Sequence, residues 1–478
     1  MLARPSPSLT FATTGAAPVV RAIVLAGAAA LTGLAFGMLG AEAGPWTMVA
    51  IPAAALWFSA VLVRPVWAIV AVFVSLPVAL SSLPIGGLQV VDVVSIVVVL
   101  AMTLAVLLGH AKLRLAVPAF GWGLALCTAG VLAVPGAVDV TVATTRMVNV
   151  IVGFLLAIAL VAACQRLVDL RILVAALLGA GIVMTLLALQ SLSEIRPAAG
   201  GLVVRGRATG VFGDPNELGS FTVILLMVGL GTALAKVRTS MRVMAVVATL
   251  LATAGLAVSL SRGAWIGAAL GVVGLMVLLP GSRRTLVGVL MSVAVLGLAF
   301  GLLQPDQPAV QVVRDRLGSV TGATNSPYDR RPEIWAEAVR EINERPVFGF
   351  GPGTFVIASR RSASESRTIA AVHAHNVLLT VGAESGVPAV GFLVGLTLAV
   401  GIAALRATRR LRRAPEGALV AGAAAALFGE VGHGLIDNTY NNPMLLGLMW
   451  ALTGIVLAGD QLAARPAASA SARPARLA

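Results

Sequence analysis

Residues 243–280 read VMAVVATLLATAGLAVSLSRGAWIGAALGVVGLMVLLP, two apolar runs separated by a short turn around Ser261 and Arg262. Each run has about 18 residues, the length at which an α-helix rising ~1.5 Å per residue crosses ~30 Å of hydrocarbon. The same alternation of run and break fills the chain, which is 58% hydrophobic and 11% charged, with a mean hydropathy of +0.97. A backbone crossing lipid must satisfy its own hydrogen bonds, and a helix does so within one segment. The sequence therefore predicts an all-α polytopic membrane protein.

Working outward, spans fall near 20–40, 45–63, 66–83, 91–109, 115–134, 146–163, 170–190, 217–235, 243–260, 263–280, 285–303, 386–405, 416–436 and 443–459, about 14 in a range of 12–14. GAEAG at 40–44 resembles a small-residue cleavage site, but the run before it exceeds the ~7–15 residues of a signal-peptide core and reads as an uncleaved first span. With the N-terminus inside, 20 of the 34 Lys and Arg face the cytoplasm and 14 face out, nine of these in one long loop where the positive-inside rule is weak. The net charge of +14 thus reports topology and not nucleic-acid binding. The resulting plan is a cytoplasmic tail 1–19, spans one to eleven in 20–303, an extracytoplasmic loop 304–374, a re-entrant segment with the last three spans in 375–459, and a disordered cytoplasmic tail 460–478. Cys127 and Cys164 lie in or beside apolar runs without metal spacing and read as packing residues.

The long loop contains PEIWAEAVREINERP, 332–346, in which Ile334, Trp335, Ala338, Val339 and Ile342 repeat at the spacing of one helix face. Pro332 suits its first turn and Pro346 its end, so an amphipathic helix is expected on the membrane surface or on the tops of the spans. The glycine-rich VFGFGPGTF after it lacks the strand-then-helix setting of a nucleotide site.

Four constellations fall on the outer side. In GVFGDPNELGSF, 210–221, Asp214, Pro215 and Glu217 fit an N-cap, a first-turn proline and a capping-box partner, with Asn216 between them and Arg205 and Arg207 upstream. In SLSRGAWIG, an N-cap at Ser261 puts Arg262 in a first helical turn, where the dipole disfavours a cation by up to ~1 kcal/mol. An anion such as phosphate or diphosphate would remove that mismatch, whereas snorkelling to lipid headgroups is the plainer account. YDRRPEIW pairs Arg330 with Arg331, and VHAHNVLLTVGAESG, 372–386, places His373, His375 and Asn376 where polar sequence re-enters an apolar run. A histidine there can accept a proton near neutrality. Glu430, His433 and Asp437 recur at i, i+3 and i+7 near the outer end of span thirteen, either as functional groups or as a polar cluster locking helices. His373 and His375 share no helix face and no carboxylate lies at ligand spacing, so neither metal nor cofactor is expected.

In this order, GVFGDPNELGSF, SRGAWIGAALG, RRPEIWAEAVREINERPVFGFGPGTF and HAHNVLLTVGAESGVPAVGFL resemble the O-antigen ligase and O-antigen polymerase superfamily of bacterial envelope enzymes, over roughly 205–440. The resemblance implies a C-type glycosyltransferase fold in the bacterial cytoplasmic (inner) membrane. It implies transfer of an undecaprenyl-diphosphate-linked glycan to a hydroxyl of a glycan, a lipid A-core or another acceptor at the outer face, without nucleotide sugar or metal. By motif position, Arg262 and one of Arg330 or Arg331 would hold the diphosphate, with Arg205 and Arg207 nearby, and His375 would be the base, with His373 competing. Asn376, Asp214, Asn216, Glu430, His433 and Asp437 would support them. A transporter or flippase of lipid-linked sugars is the non-enzyme alternative, although such folds tend to show repeated halves and a polar midplane and this chain shows neither. A glycosyltransferase for protein or teichoic-type acceptors is the other.

Overall fold

The computed structural model describes residues 47–78, 89–115, 117–191, 208–304, 330–366 and 373–465. The expected first span, Arg205, Arg207, much of the long loop and residues 466–478 lie outside them, while residues 460–463, expected in a disordered tail, continue the last helix. Among the described residues the chain is helical, without a β-strand. The order is α1 (Thr47–Val63), α2 (Val66–Val74), α3 (Val90–Leu107), α4 (Pro118–Ala133), α5 (Val140–Ala163), α6 (Leu167–Gln190), α7 (Pro215–Leu234) and α8 (Thr239–Ser259). It continues with α9 (Arg262–Leu278), α10 (Arg283–Leu303), α11 (Arg331–Glu344), α12 (Phe355–Ser366), α13 (Val377–Arg410), α14 (Glu416–Gly434) and α15 (Pro443–Ala463).

Nine of these helices are long and apolar enough to cross a membrane: α3 to α8, α10, α13 and α15. The expected count of about 14 is therefore met only in part. Helices α1, α2 and α9 are shorter, and α14 carries Glu416, Glu430 and His433, which dilute its hydropathy.

Helices α7, α14 and α15 form the centre, with α9 laid against α14 through small residues. A Cβ at Gly263 would meet the His433 ring at 2.7 Å, one at Gly267 the Gly429 carbonyl at 2.8 Å, and one at Gly271 the Met227 sulfur at 2.7 Å. Close approach of this kind replaces the hydrophobic drive that helices lack inside lipid. It also explains the glycines of SRGAWIGAALG without a ligand. Gly422 and Gly231 bring α14 against α7 in turn.

Basic residues expected inside gather at one end of the bundle. Arg64 binds Asp169 at 2.6 Å, Arg171 binds Glu416 at 2.5 Å, and Arg406 and Arg410 share Asp460 at 2.7 and 3.2 Å. The helix starts of α7, α9 and α13 lie at the other end, with α11 packed on α13.

The segment expected as a re-entrant stretch followed by a span is one bent helix. Gly386 breaks α13 with φ 82° and ψ 169°, a region open to glycine, and Pro388 follows. The glycine-rich turn clasps this break. Phe350 N–H donates to Ala383 O and Gly351 N–H to Glu384 O, both at 2.9 Å, while Val387 N–H donates to Pro346 O at 2.8 Å. Helix α11 rests on α13 through Ile334, Ala338 and Ile342, which pack with Phe355, Leu379 and Ala383. Trp335 and Val339, expected on the same face, are exposed.

Gly267→Val should lower stability by about 1–3 kcal/mol, the usual range for overpacking, because the added methyls meet backbone that cannot give way. Thermal unfolding in detergent measures it, and Gly288→Val on α10, where a Cβ meets nothing within 4 Å, should leave the midpoint in place.

Candidate active site

The site is built at the ends of α9, α11, α13 and α14. Asn376 caps α13, its Oδ1 accepting from Leu378 and Leu379 N–H at 2.9 and 3.1 Å, while its Nδ2 donates to Leu435 O at 3.0 Å. This cap fixes His375 immediately before the helix, with φ 49°. Only Leu260 shares such a left-handed backbone among the described non-glycine residues, and it reverses the chain between α8 and Arg262. Backbone held in this region costs about 1–3 kcal/mol and tends to cluster at functional sites. The two strained positions flank the two motifs singled out from the sequence.

Asp437 joins the elements. It lies three residues beyond the last residue of α14, not on that helix as the i, i+3, i+7 spacing implies, because the helix ends at Gly434. His375 Nδ1 is 2.9 Å from Asp437 Oδ1, His373 Nε2 is 3.9 Å from the same oxygen, and Arg331 Nη2 is 3.9 Å from Oδ2. Burial works against the charge of Asp437, but the His375 hydrogen bond and the adjacent imidazoles outweigh it and hold the carboxyl below the usual carboxylate range.

An ionised carboxylate only accepts, so Nδ1 of His375 carries the hydrogen and Nε2 is left as its basic nitrogen. His373 is differently committed. Its Nδ1 accepts from the His375 backbone N–H at 3.1 Å, which leaves no basic nitrogen for a substrate. Burial, then the neighbouring His375, lowers the His373 pKa from 6.5 to about 4, with Arg331 adding to the drop and Asp437 opposing it.

The arginine pair separates in the same way. Arg330 is exposed and pairs with Glu333 at 3.1 Å, three residues on, whereas Arg331 turns toward Asp437. Arg262 is half-buried at the first position of α9, with Ser261 as the cap accepting from Ala264 N–H at 3.3 Å. The next residue, Gly263, packs on His433 and Ile436, which places this helix start against the turn that carries Asp437.

The remaining expected residues do other work. Asp214 caps α7 as read, accepting from Asn216 and Glu217 N–H at 2.6 and 3.4 Å. Glu217 is no capping-box partner, because its carboxylate accepts from Asn442 Nδ2 at 2.9 Å and ties α7 to the start of α15. Glu430 accepts from Ser220, which contacts Thr439 at 3.2 Å, and His433 lies 4.0 Å from Glu430, so this pair is buried between α7, α9 and α14. Arg146 was not singled out from the sequence. Its guanidinium donates to Tyr440 O at 2.7 Å and Asn441 O at 3.3 Å and so holds the turn after Asp437. A cation inside an apolar run was the available signal.

A carboxylate does stand beside both histidines, contrary to the expectation from their spacing. Asp437 arrives from 62 residues away and brings a carboxylate to both histidines, with the three ligand atoms within 4.8 Å of one another. His373, His375 and Asp437 have the donor types of a divalent-cation site, but Arg331 already supplies a cation to Asp437.

Residues 245–394 match the family model described as O-antigen ligase. Over that stretch the chain is similar to the O-antigen ligase and polymerase superfamily. No curated protein matches it. The matched stretch includes the ligase-family motifs with Arg262, Arg331 and His375, whereas Asp437, Arg146 and Asp214 lie outside it.

Because His373 is protonated near pH 6.5 when unfolded and near pH 4 when folded, the unfolded chain binds more protons between those values. Its contribution to stability is complete above about pH 6.5 and is lost as the pH falls toward 4. His373→Gln should flatten that part of the pH dependence, as followed by thermal unfolding from pH 4 to 7.

Proposed function

We propose that the protein transfers a glycan from undecaprenyl diphosphate to an acceptor hydroxyl at the outer face of the cytoplasmic membrane. The observation that carries this reading is the His375–Asp437 hydrogen bond at 2.9 Å with the Arg331 guanidinium on the other carboxylate oxygen. Asp437 orients the imidazole and favours the tautomer with Nε2 free. His375 Nε2 then takes the proton of the acceptor hydroxyl as its oxygen attacks the anomeric carbon. The bond from that carbon to the diphosphate oxygen breaks, and undecaprenyl diphosphate leaves with the electron pair. A single displacement inverts the anomeric configuration.

Arginines stabilise the charge that collects on the leaving diphosphate, since a guanidinium presents paired N–H groups to phosphate oxygens. Arg262 acts with the start of α9, whose backbone N–H groups and dipole favour an anion. Arg331 acts from the start of α11. The reaction needs no metal in this scheme, because the arginines neutralise the leaving group and Asp437 serves the base. The polar groups lie at helix ends and not at a midplane, which favours chemistry at the membrane surface over transport.

His375→Ala should lower transfer by about 10²–10⁴-fold, the usual worth of a positioned base. Arg262→Ala and Arg331→Ala should each lose about 10²-fold or more, and Arg330→Ala should stay near wild type. Purified protein with undecaprenyl-diphosphate glycan and acceptor tests this. Near-normal transfer by His375→Ala would remove the base, and loss of activity in EDTA restored by a divalent cation would replace the metal-free scheme. Product analysis separates a ligase, which moves one glycan to a different acceptor, from a polymerase, which builds a ladder of repeats on lipid.

A further inference from the structure

His375 stands at φ 49°, a left-handed conformation that a residue with a side chain keeps only where its surroundings hold it. The Asn376 cap holds it from the helix side. Two residues hold it from the other side. Ala374 is fully buried and packs with Ile334, Phe355 and Ala383, which anchors the chain one residue before the turn. His373 Nδ1 accepts from the His375 backbone N–H at 3.1 Å, so the side chain of the second histidine is bonded to the main chain of the first.

A side-chain acceptor bonded to the N–H two residues on is the bond by which Asn and Asp build turns, because it closes a ring that replaces a backbone turn. Asp214 makes it to Asn216 N–H at 2.6 Å, and Asn376 makes it to Leu378 N–H at 2.9 Å. His373 makes the same bond with an imidazole, and the larger side chain adds a second contact. The His373 and His375 rings lie 4.2 Å apart between centroids, tilted by 58°. His373 Nε2 is 3.9 Å from Asp437 Oδ1, the oxygen that His375 Nδ1 reaches at 2.9 Å. One side chain thus restrains the backbone of His375 through its N–H and the imidazole of His375 through ring contact.

We propose that His373 is a positioning residue for the base: it fixes the left-handed backbone and the ring of His375, so that Nδ1 stays on Asp437 and Nε2 stays free for the acceptor hydroxyl. The inference rests on the glycosyl-transfer reading for what His375 does. It gives the second histidine a role that needs no proton transfer of its own, since the nitrogen that would accept a proton is spent on the turn.

Two substitutions separate the bond from the imidazole. His373→Ala removes the acceptor, whereas His373→Asn supplies a carboxamide oxygen suited to the same bond. The chain has four histidines, so full-length protein labelled with 15N-histidine gives few imidazole signals, and the Nδ1–H of His375 is the one missing from His375→Ala. That proton resonance should persist in His373→Asn and be lost in His373→Ala. On the same variants, kcat for transfer from undecaprenyl-diphosphate glycan should fall about 10–10²-fold in His373→Ala, the cost of a misplaced reacting group, with KM unchanged. It should return to within a few-fold of wild type in His373→Asn. Added to His375→Ala, the His373→Ala change should lower kcat no further, because the group it positions is gone. Should His373→Ala not fold, His373→Leu keeps bulk without an acceptor and carries the same comparisons. A His375 resonance unchanged in His373→Ala, equal losses of transfer in the Ala and Asn variants, or a further loss in the His375→Ala background each overturn the positioning role. Wild-type protein that shows the expected resonances and transfers no glycan overturns the glycosyl-transfer reading instead, and the hold of His373 on His375 stands.

Discussion

A carboxylate buried near a membrane surface has to be paired, and Asp437 meets that demand by drawing together parts of the chain that share no local sequence. It takes a hydrogen bond from His375, holds Arg331 at 3.9 Å, and accepts from the Asn438 N–H at 2.9 Å. Each contact fixes a different element: the start of α13, the start of α11 and the turn after α14. Leaving a buried charge unpaired costs several kcal/mol, so these partners are tied to one another through the anion. The imidazole orientation on which the proposed base catalysis depends is one consequence of satisfying that charge.

The frame that holds the anion in place is largely backbone. Gly263 and Gly267 let α9 approach α14 until the carbonyl of Gly429 and the His433 ring are neighbours, and the turn bearing Asp437 then lies against the start of α9. On the other side, the clasp of residues 346–351 over the Gly386 break sets where α13 begins and so where His375 sits. Backbone contacts of this kind have little freedom to relax. A site of several residues at helix ends is thereby kept rigid although it lies on connecting segments.

Local features were legible in the sequence. Asp214 and Ser261 cap helices as expected, because a short polar side chain before an apolar run has few other uses, whereas the cap made by Asn376 emerges only in the structure. Most helices follow the apolar runs, since hydropathy and length act within one segment. What could not be read is what tertiary contact decides. Nothing in the spacing pairs His375 with Asp437 across 62 residues, or turns Glu217 from a cap toward Asn442. The choice between Arg330 and Arg331 was open in the sequence, yet Glu333 at i+3 takes Arg330 and leaves Arg331 to face the turn. Arg146 was passed over because a single arginine in an apolar run reads as topology until its carbonyl partners are seen.

The same pairings bear on why a base and arginines can coexist in so small a space. The imidazole of His375 and the guanidinium of Arg331 both face Asp437. Asp437 stands between them, with one oxygen toward the imidazole and the other toward the guanidinium, so both are held by the carboxylate. His373, half-buried and neutral at ordinary pH, adds no further positive charge. The result is an excess of positive charge at the starts of α9 and α11, where an anion would bind, and a basic nitrogen on His375 a short distance away. The diphosphate leaving group and hydroxyl nucleophile of the proposed reaction require those two environments side by side, and one buried carboxylate is enough to keep them distinct.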